Sequence, residues 1–282
     1  MQRRLRSELC EFCAPKLHSD GYPILKLGRW SRNKLFHLKY YASLFSTGMK
    51  GRWSRRAYLD FFAGPGLCLF QNIVDDGSPL AALKQEDPFT HYAFVDSDLT
   101  HIEALEKRSI GLATGSAKLT LLGNCNDSAI LKKVLDFVPE QALCLMFVDP
   151  FKWDIDFETI REVTGARRTD IILVFHIGSM KRVIGSGNRS PDRFFGDQGE
   201  WYHIYQSVLP SGRTRALLDY FKHRLSTLGY QEGHFPSEVP VLNTKNVPLY
   251  YLIFASKHPR GQEFWRKSIQ RTVDGGRRLP GF

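Results

Sequence analysis

The sequence predicts an α/β fold: a mostly parallel sheet with one antiparallel strand. Three observations carry this. From residue 57 onward, apolar runs of strand length alternate with helical stretches. The run Leu143–Val148 is apolar throughout, as a parallel strand covered on both faces must be. Glycine-bearing or acidic turns follow successive strands, at the edge where open α/β sheets bind ligands.

Residues 1–30 read as irregular, because Pro15, Gly21, Pro23 and Gly28 interrupt any helix. Ser31 is placed to cap a helix running to Thr47. Leu35, Leu38, Tyr41, Ala42 and Phe45 share one of its faces, and Gly48 follows it. A strand over 57–62 ends in the turn Gly64-Pro65-Gly66. A strand over 91–95 leads to a helix over 99–107, and a third over 118–122 to a helix over Ser128–Phe137. The fourth strand is Leu143–Val148. A helix over 157–164 and a fifth strand over 170–175 follow. Right-handed crossovers join such units into a parallel sheet.

After Ile177 the alternation stops. Residues 178–212 combine glycines and prolines with Phe194, Phe195, Trp201, Tyr202 and Tyr205, and read as an insertion or lid over one end of the sheet. A helix over 215–228, an antiparallel pair of strands over 235–241 and 249–255, and a terminal helix over 264–273 complete the chain.

The 282 residues suffice for one large domain or two small ones. With 43% hydrophobic and 24% charged residues the composition is that of a globular protein. No run of eighteen apolar residues exists, and the basic N-terminus lacks the apolar segment of a secretory signal. Five irregularly spaced cysteines suit a reducing compartment, so a cytoplasmic location is expected. The formal net charge is +10. Residues 1–56 hold 13 Lys and Arg against Glu8, Glu11 and Asp20, whereas residues 57–282 hold 26 of each sign. The sequence therefore divides into a basic N-terminal extension with a helix, 1–56, and a neutral domain, 57–282. Localised positive charge suits a nucleic-acid partner, since each neutralised phosphate releases counterions. A solubilising arm is the plainer alternative.

Three motifs stand at strand ends. Asp60-Phe61-Phe62-Ala63-Gly64-Pro65-Gly66 is a turn whose glycines admit close approach of a ligand. Phe94-Val95-Asp96-Ser97-Asp98 puts an acid where a cofactor ribose would be held, with Ser97 or Asp98 free to cap the next helix. Phe147-Val148-Asp149-Pro150-Phe151 ends the fourth strand, and Gly123-Asn124-Cys125-Asn126-Asp127 supplies a polar turn after the third. No phosphate-cradling Gly-x-x-x-x-Gly-Lys-Ser/Thr element and no complete Gly-x-Gly-x-x-Gly occurs, which disfavours nucleoside triphosphates and dinucleotides.

On these motifs the chain resembles class I S-adenosylmethionine-dependent methyltransferases that modify amino groups, whose fourth-strand motif is usually Asp/Asn-Pro-Pro-Tyr/Phe. Here it reads Asp-Pro-Phe, with one proline fewer. More closely, the chain resembles the bacterial three-Cys-motif partner protein family. The resemblance rests on 58–66, 77–80, 94–98, 123–126, 147–151 and 249–259, and covers about residues 30–270. It implies a Rossmann-like methyltransferase fold, S-adenosylmethionine as cofactor and a three-cysteine protein as partner, with no membrane association. It implies that Asp60, Ala63, Gly64, Gly66, Asp96 and Asn124 hold the cofactor. Asp149 and Pro150 would receive the target amine and Phe151 would stack on the target base. Lys152, Lys181, Arg182 and Trp201 would hold the substrate. The implied function is methylation of an amino group, in tRNA or DNA. The alternative is a non-catalytic accessory subunit, to which the shortened motif and Asn124 in place of Asp also point.

Other constellations read more simply. Cys10-x-x-Cys13 with His18 is half a zinc site, and a structural site needs four ligands, so no metal is expected. Asp149, Asp154 and Asp156 would be the cluster of a nuclease, but helix capping accounts for them. Cys68, Cys125 and Cys144 fall in or beside strands and suit a core. His176 ends the fifth strand, where it serves as a base or as a packed strand-end residue.

Overall fold

The computed structural model describes residues 16–150, 153–177, 183–184, 190–230, 238–243 and 245–271. In chain order its elements are β1 (Leu25–Leu27), α1 (Ser31–Met49), β2 (Arg56–Asp60), β3 (Leu67–Phe70), β4 (Ile73–Asp76) and α2 (Ser78–Leu83). Then come β5 (His91–Asp96), α3 (Leu99–Ser109), β6 (Ala117–Leu122), α4 (Ser128–Phe137), β7 (Leu143–Val148), α5 (Phe157–Ala166) and β8 (Arg168–His176). The chain continues through α6 (Ser190–Phe195), α7 (Glu200–Ser207), α8 (Arg213–Ser226), β9 (Val239–Leu242), β10 (Pro248–Ala255) and α9 (Pro259–Ile269).

Seven strands form the main sheet in the order β6-β5-β2-β7-β8-β10-β9. β10 runs antiparallel to both its neighbours, and the other pairings are parallel. This is the doubly wound, Rossmann-like α/β sheet expected, with its one antiparallel strand. Alternate residues of each strand serve opposite faces, as the two-residue period requires. Ala57, Leu59, Met146, Val148 and Leu173 join α4, α5, α6, α7 and α8 in one apolar cluster. Tyr58, Leu145, Phe147, Ile172 and Val174 join α1, α2, α3 and α9 in the other.

The N-terminal helix is therefore a layer of the fold. Leu38, Tyr41, Ala42 and Phe45 are buried against the sheet and α9, so residue 56 marks a change of charge rather than of packing. Ser31 does not cap α1. The N-cap is Trp30, without a side-chain bond, and Ser31 is buried in the first turn. Asp98 caps α3 and Asp127 caps α4, each accepting a backbone N–H at 2.8 Å.

One hairpin is absent from the sequence reading. β3 and β4 follow the glycine turn, and β3 pairs in parallel with β1, inside the segment read as irregular. Strands of three or four residues carry too little alternation to register, so distant pairing alone defines them. The insertion also differs from expectation. Phe194, Phe195 and Trp201 are buried against Trp153, Phe157 and Phe221, and extend the core on one face of the sheet.

Candidate functional site

The chain leaves β2 towards β5 on one side and β7 towards β8 on the other. Between β2 and β7 the strand order reverses, and the crevice beyond their carboxyl ends is where such sheets bind ligands. Asp60 ends β2, and Asp149 directly follows β7.

The glycine turn is buried and packed against neighbouring side chains. Gly64 has φ +62° and Gly66 φ +85°, in the region that favours glycine. A Cβ on Gly64 would lie 2.9 Å from Leu25 Cδ1, so β1 is seated directly on the turn. Arg108 of α3 secures this arrangement. Its guanidinium donates to both Asp20 oxygens at 2.8 and 2.9 Å, to Pro23 O at 2.8 Å and to Pro65 O at 2.6 Å. Arg108 thereby holds the Asp20 carboxyl well below the usual carboxylate range.

Asp60 is fully buried beneath the turn. It accepts from Phe62 N–H at 3.3 Å and from Tyr58 OH at 3.2 Å. Burial pushes its carboxyl up to about 7, against these bonds and one from Ser78. Asp60 thus supports the turn from below. Asp96 Oδ2 accepts from Gly64 N–H at 2.7 Å, while Oδ1 accepts from Asp98 N–H at 2.9 Å and lies 3.2 Å from His101 Nδ1. Burial alone would raise Asp96, but these contacts outweigh it and its carboxyl titrates low. Ala63 is buried, with its N–H on Val95 O. Asn124 is exposed and turns its Oδ1 to Asn126 N–H at 2.9 Å.

Asp149 is held from two sides. Lys34 of α1 donates to Oδ2, and His176 Nε2 lies 3.2 Å from Oδ1. Burial by itself pushes this carboxyl up, yet Lys34 and His176 overcome it and leave Asp149 well below its ordinary value. Burial likewise works against the Lys34 ammonium, and the Asp149 charge more than compensates. The Lys34 side chain is 5% exposed, and its Nζ sits 5.7 Å from the Tyr250 ring centroid. That ring lies 5.3 Å from His176.

Of the residues expected at the site, Asp60, Ala63, Gly64, Gly66, Asp96 and Asp149 gather around the ends of β2, β5 and β7, with Pro150 buried beside Asp149. Asn124 stands further out, after the edge strand β6. Trp201 does not face the cleft. It is 6% exposed, stacked 6.0 Å from Phe195, with Nε1 donating to Asp192, so the substrate role expected of it fails on burial. Phe151, Lys152, Lys181 and Arg182 lie outside the described residues, as do Cys10 and Cys13. Cys68, Cys125 and Cys144 are buried in the core.

The sequence reading gives no role to Lys34, Arg108, Asn126 or Tyr250. Asn126 ties two loops of this edge: it donates to Asp154 O and accepts from Asp156 N–H and Thr159 OH. Lys34 did leave a signal, because it interrupts the apolar face of α1 one position before Leu35.

No family model matches the chain, and no curated protein matches it. Solved structures do. The chain is similar to a Legionella pneumophila protein of the family designated DUF519, with 9% identity over 84% of this chain and 91% of that one, at a TM-score of 0.49. It is similar to an O-methyltransferase of Bacillus cereus in complex with S-adenosylhomocysteine, with 10% identity, coverages of 78% and 80%, and a TM-score of 0.44. A cyclopropane synthase of Mycobacterium tuberculosis gives 8% identity, coverages of 80% and 68%, and a TM-score of 0.37.

Proposed function

We propose that the protein is an S-adenosylmethionine-dependent methyltransferase acting on an amino group, in nucleic acid. The observation that carries this reading is Asp149: a carboxylate at the switch point, kept ionised by Lys34 and His176, beside the glycine turn. The residues fit the cofactor. Gly64 and Gly66 are buried in the turn, with Leu25 packed on the first and Leu80 and Leu105 on the second, and Asp96 Oδ2 keeps one lone pair beyond its bond to Gly64. Asp96 would therefore accept from one ribose hydroxyl, not from both. When bound, the cofactor supplies an electrophilic methyl group.

The protein's own part is positioning. Each Asp149 oxygen has an acceptor site left after Lys34 and His176 are counted, and Pro150, next in the chain, would bring its carbonyl. Amine hydrogens held there would aim the nitrogen lone pair at the methyl group. A carboxyl held this acidic orients well but takes up a proton poorly, so the proton released on transfer would leave to solvent. Phe151, Lys152, Lys181 and Arg182 remain proposed substrate contacts. The basic N-terminal segment supports nucleic acid as the bearer of the amine.

A second reading, an accessory subunit working with a three-cysteine protein, is favoured by one observation. Asp96 already spends three of about four acceptor sites, and Asp149 two, on the chain's own groups. Calorimetry and labelled methyl transfer to tRNA and DNA separate the readings. Catalysis predicts cofactor binding and transfer, lowered about 10²–10³-fold in Asp149→Asn, the scale for one preorganised polar contact. Binding without transfer selects the accessory reading. Absence of binding at millimolar cofactor overturns both.

A further inference from the structure

The opposite edge of the sheet holds a cavity of about 600 Å³ that the methyltransferase reading does not use. It lies where β7 and β8 begin and β10 ends, a strand length away from Asp149. Phe45, Met49, Leu143 and Phe264 give it apolar walls. Five cations line it: Arg52, Arg167, Arg168, Lys257 and Arg260. Among the described residues none of the five has an ion pair, although acids elsewhere pair widely. Arg167 is spent on backbone carbonyls at the end of α4. Arg52, Arg168 and Lys257 are exposed, and Arg260 is half-buried. Trp53 lines the same cavity, with the Arg168 guanidinium 5.4 Å from its ring centroid. A neighbouring hollow of about 650 Å³ shares Trp53, Glu140, Arg167 and Arg168 and adds no further cation.

Two acids also face the cavity. Asp170 is buried and accepts from Tyr41 OH at 2.7 Å, and Glu140 lies at the rim. Cations therefore exceed acids by three. Apolar walls with a few placed charges mark a small-molecule site, and unpaired guanidinium groups suit phosphate. We propose that this cavity is a second ligand site, which takes a nucleoside polyphosphate: the base between Trp53 and the apolar wall, the phosphates on Arg168, Arg260 and Lys257. The site stands apart from the cofactor cleft, so it does not rest on the methyltransferase reading.

Calorimetry of the full chain with ADP, ATP and inorganic pyrophosphate tests it. Arg168→Gln and Arg260→Gln change side chains that reach the surface, and unfolding curves verify that each variant folds. ADP is expected to bind with Kd below about 1 mM and to lose about tenfold for each arginine removed. S-adenosylhomocysteine should leave ADP binding unchanged. Failure of ADP and ATP to bind at about 10 mM, or equal binding by the variants, overturns the site. Displacement by S-adenosylhomocysteine places ADP in the other cleft and also overturns it. Pyrophosphate binding as tightly as ADP removes the nucleoside from the proposal. A 5′-phosphorylated single-stranded oligonucleotide that outcompetes ADP at equal nucleotide concentration overturns the free nucleotide in favour of a polynucleotide.

Discussion

Lys34 is the side chain on which the candidate site turns. It is a buried cation whose ion-pair partner among the described residues is Asp149, and a buried charge left alone costs far more than the pair gains. Asp149 titrates below its unfolded value, so the stability it contributes is present above about pH 4 and is lost as pH falls through its folded value. From pH 5 to 8 this contribution is flat. Lys34→Met reverses the sign, because burial is the largest influence on Asp149 and then acts with less opposition. The variant should unfold about 3 kcal/mol more easily at pH 7, at the low end for a broken buried pair since Asp149 is 21% exposed. Its stability should fall as pH rises, and Lys34→Met with Asp149→Asn should recover most of the loss. Urea unfolding at pH 5 and pH 8 measures all three. Equal losses at both pH values would remove Lys34 as the group that sets the Asp149 charge. The acid itself was legible, since a strand-end Asp before Pro is a local feature. Its partner was not, because 115 residues separate Lys34 from Asp149.

At the scale of elements, the glycine turn depends on a strand that local pattern does not reveal. β1 has three residues and is held by β3, by Leu25 on Gly64 and by the bonds of Arg108 to Asp20 and Pro23. Arg108 sits in the last turn of α3, where sequence alone assigns it the ordinary role of a cation near helix carbonyls. Instead its guanidinium bridges the N-terminal segment and Pro65 of the turn. Arg108→Ala should free β1 locally while the main sheet stays intact. Hydrogen exchange at the Leu25–Leu27 amides should quicken at least about tenfold, with the β2 and β7 amides unchanged. Uniform acceleration across the sheet would show that Arg108 acts on global stability instead. α1 is the contrasting case. Its apolar face was readable from the spacing of Leu35, Leu38, Tyr41, Ala42 and Phe45, and all five are buried as that face predicts.

At the scale of the molecule, α1 spreads the N-terminal charge across the sheet. Its 19 residues, Ser31–Met49, place Lys34 at the carboxyl edge and Ser46 beside Arg56 at the amino edge. Among the described residues the charge of the basic segment is therefore divided between the two edges. Lys26 and Arg29 are exposed near the candidate site, without ion pairs among the described residues, while Arg55 is exposed at the far edge. Arg56 is no surface charge: it is buried and donates to Trp53 O at 2.8 Å and Pro88 O at 3.1 Å. If nucleic acid meets the carboxyl edge, Lys26→Glu with Arg29→Glu should lower the slope of log affinity against log salt by about 2. Arg55→Glu should leave that slope unchanged. Equal effects from both changes would make the positive charge a diffuse attraction without a defined face.

The order of the seven main-sheet strands along the chain was determined by the sequence itself. Ser128–Phe137 and Leu143–Val148 have in the structure the bounds their patterns predict, because hydrophobic periodicity is a property of neighbouring residues. The acids at strand ends follow from the same periodicity, since a strand's end fixes the edge at which the next side chain emerges. Tertiary structure alone decided what those acids touch. It brought Lys34 to Asp149, seated Leu25 on Gly64, and turned Trp201 from a cleft residue into core. These contacts depend on which strands lie side by side and which face each helix covers. Spacing along the chain carries no record of that choice.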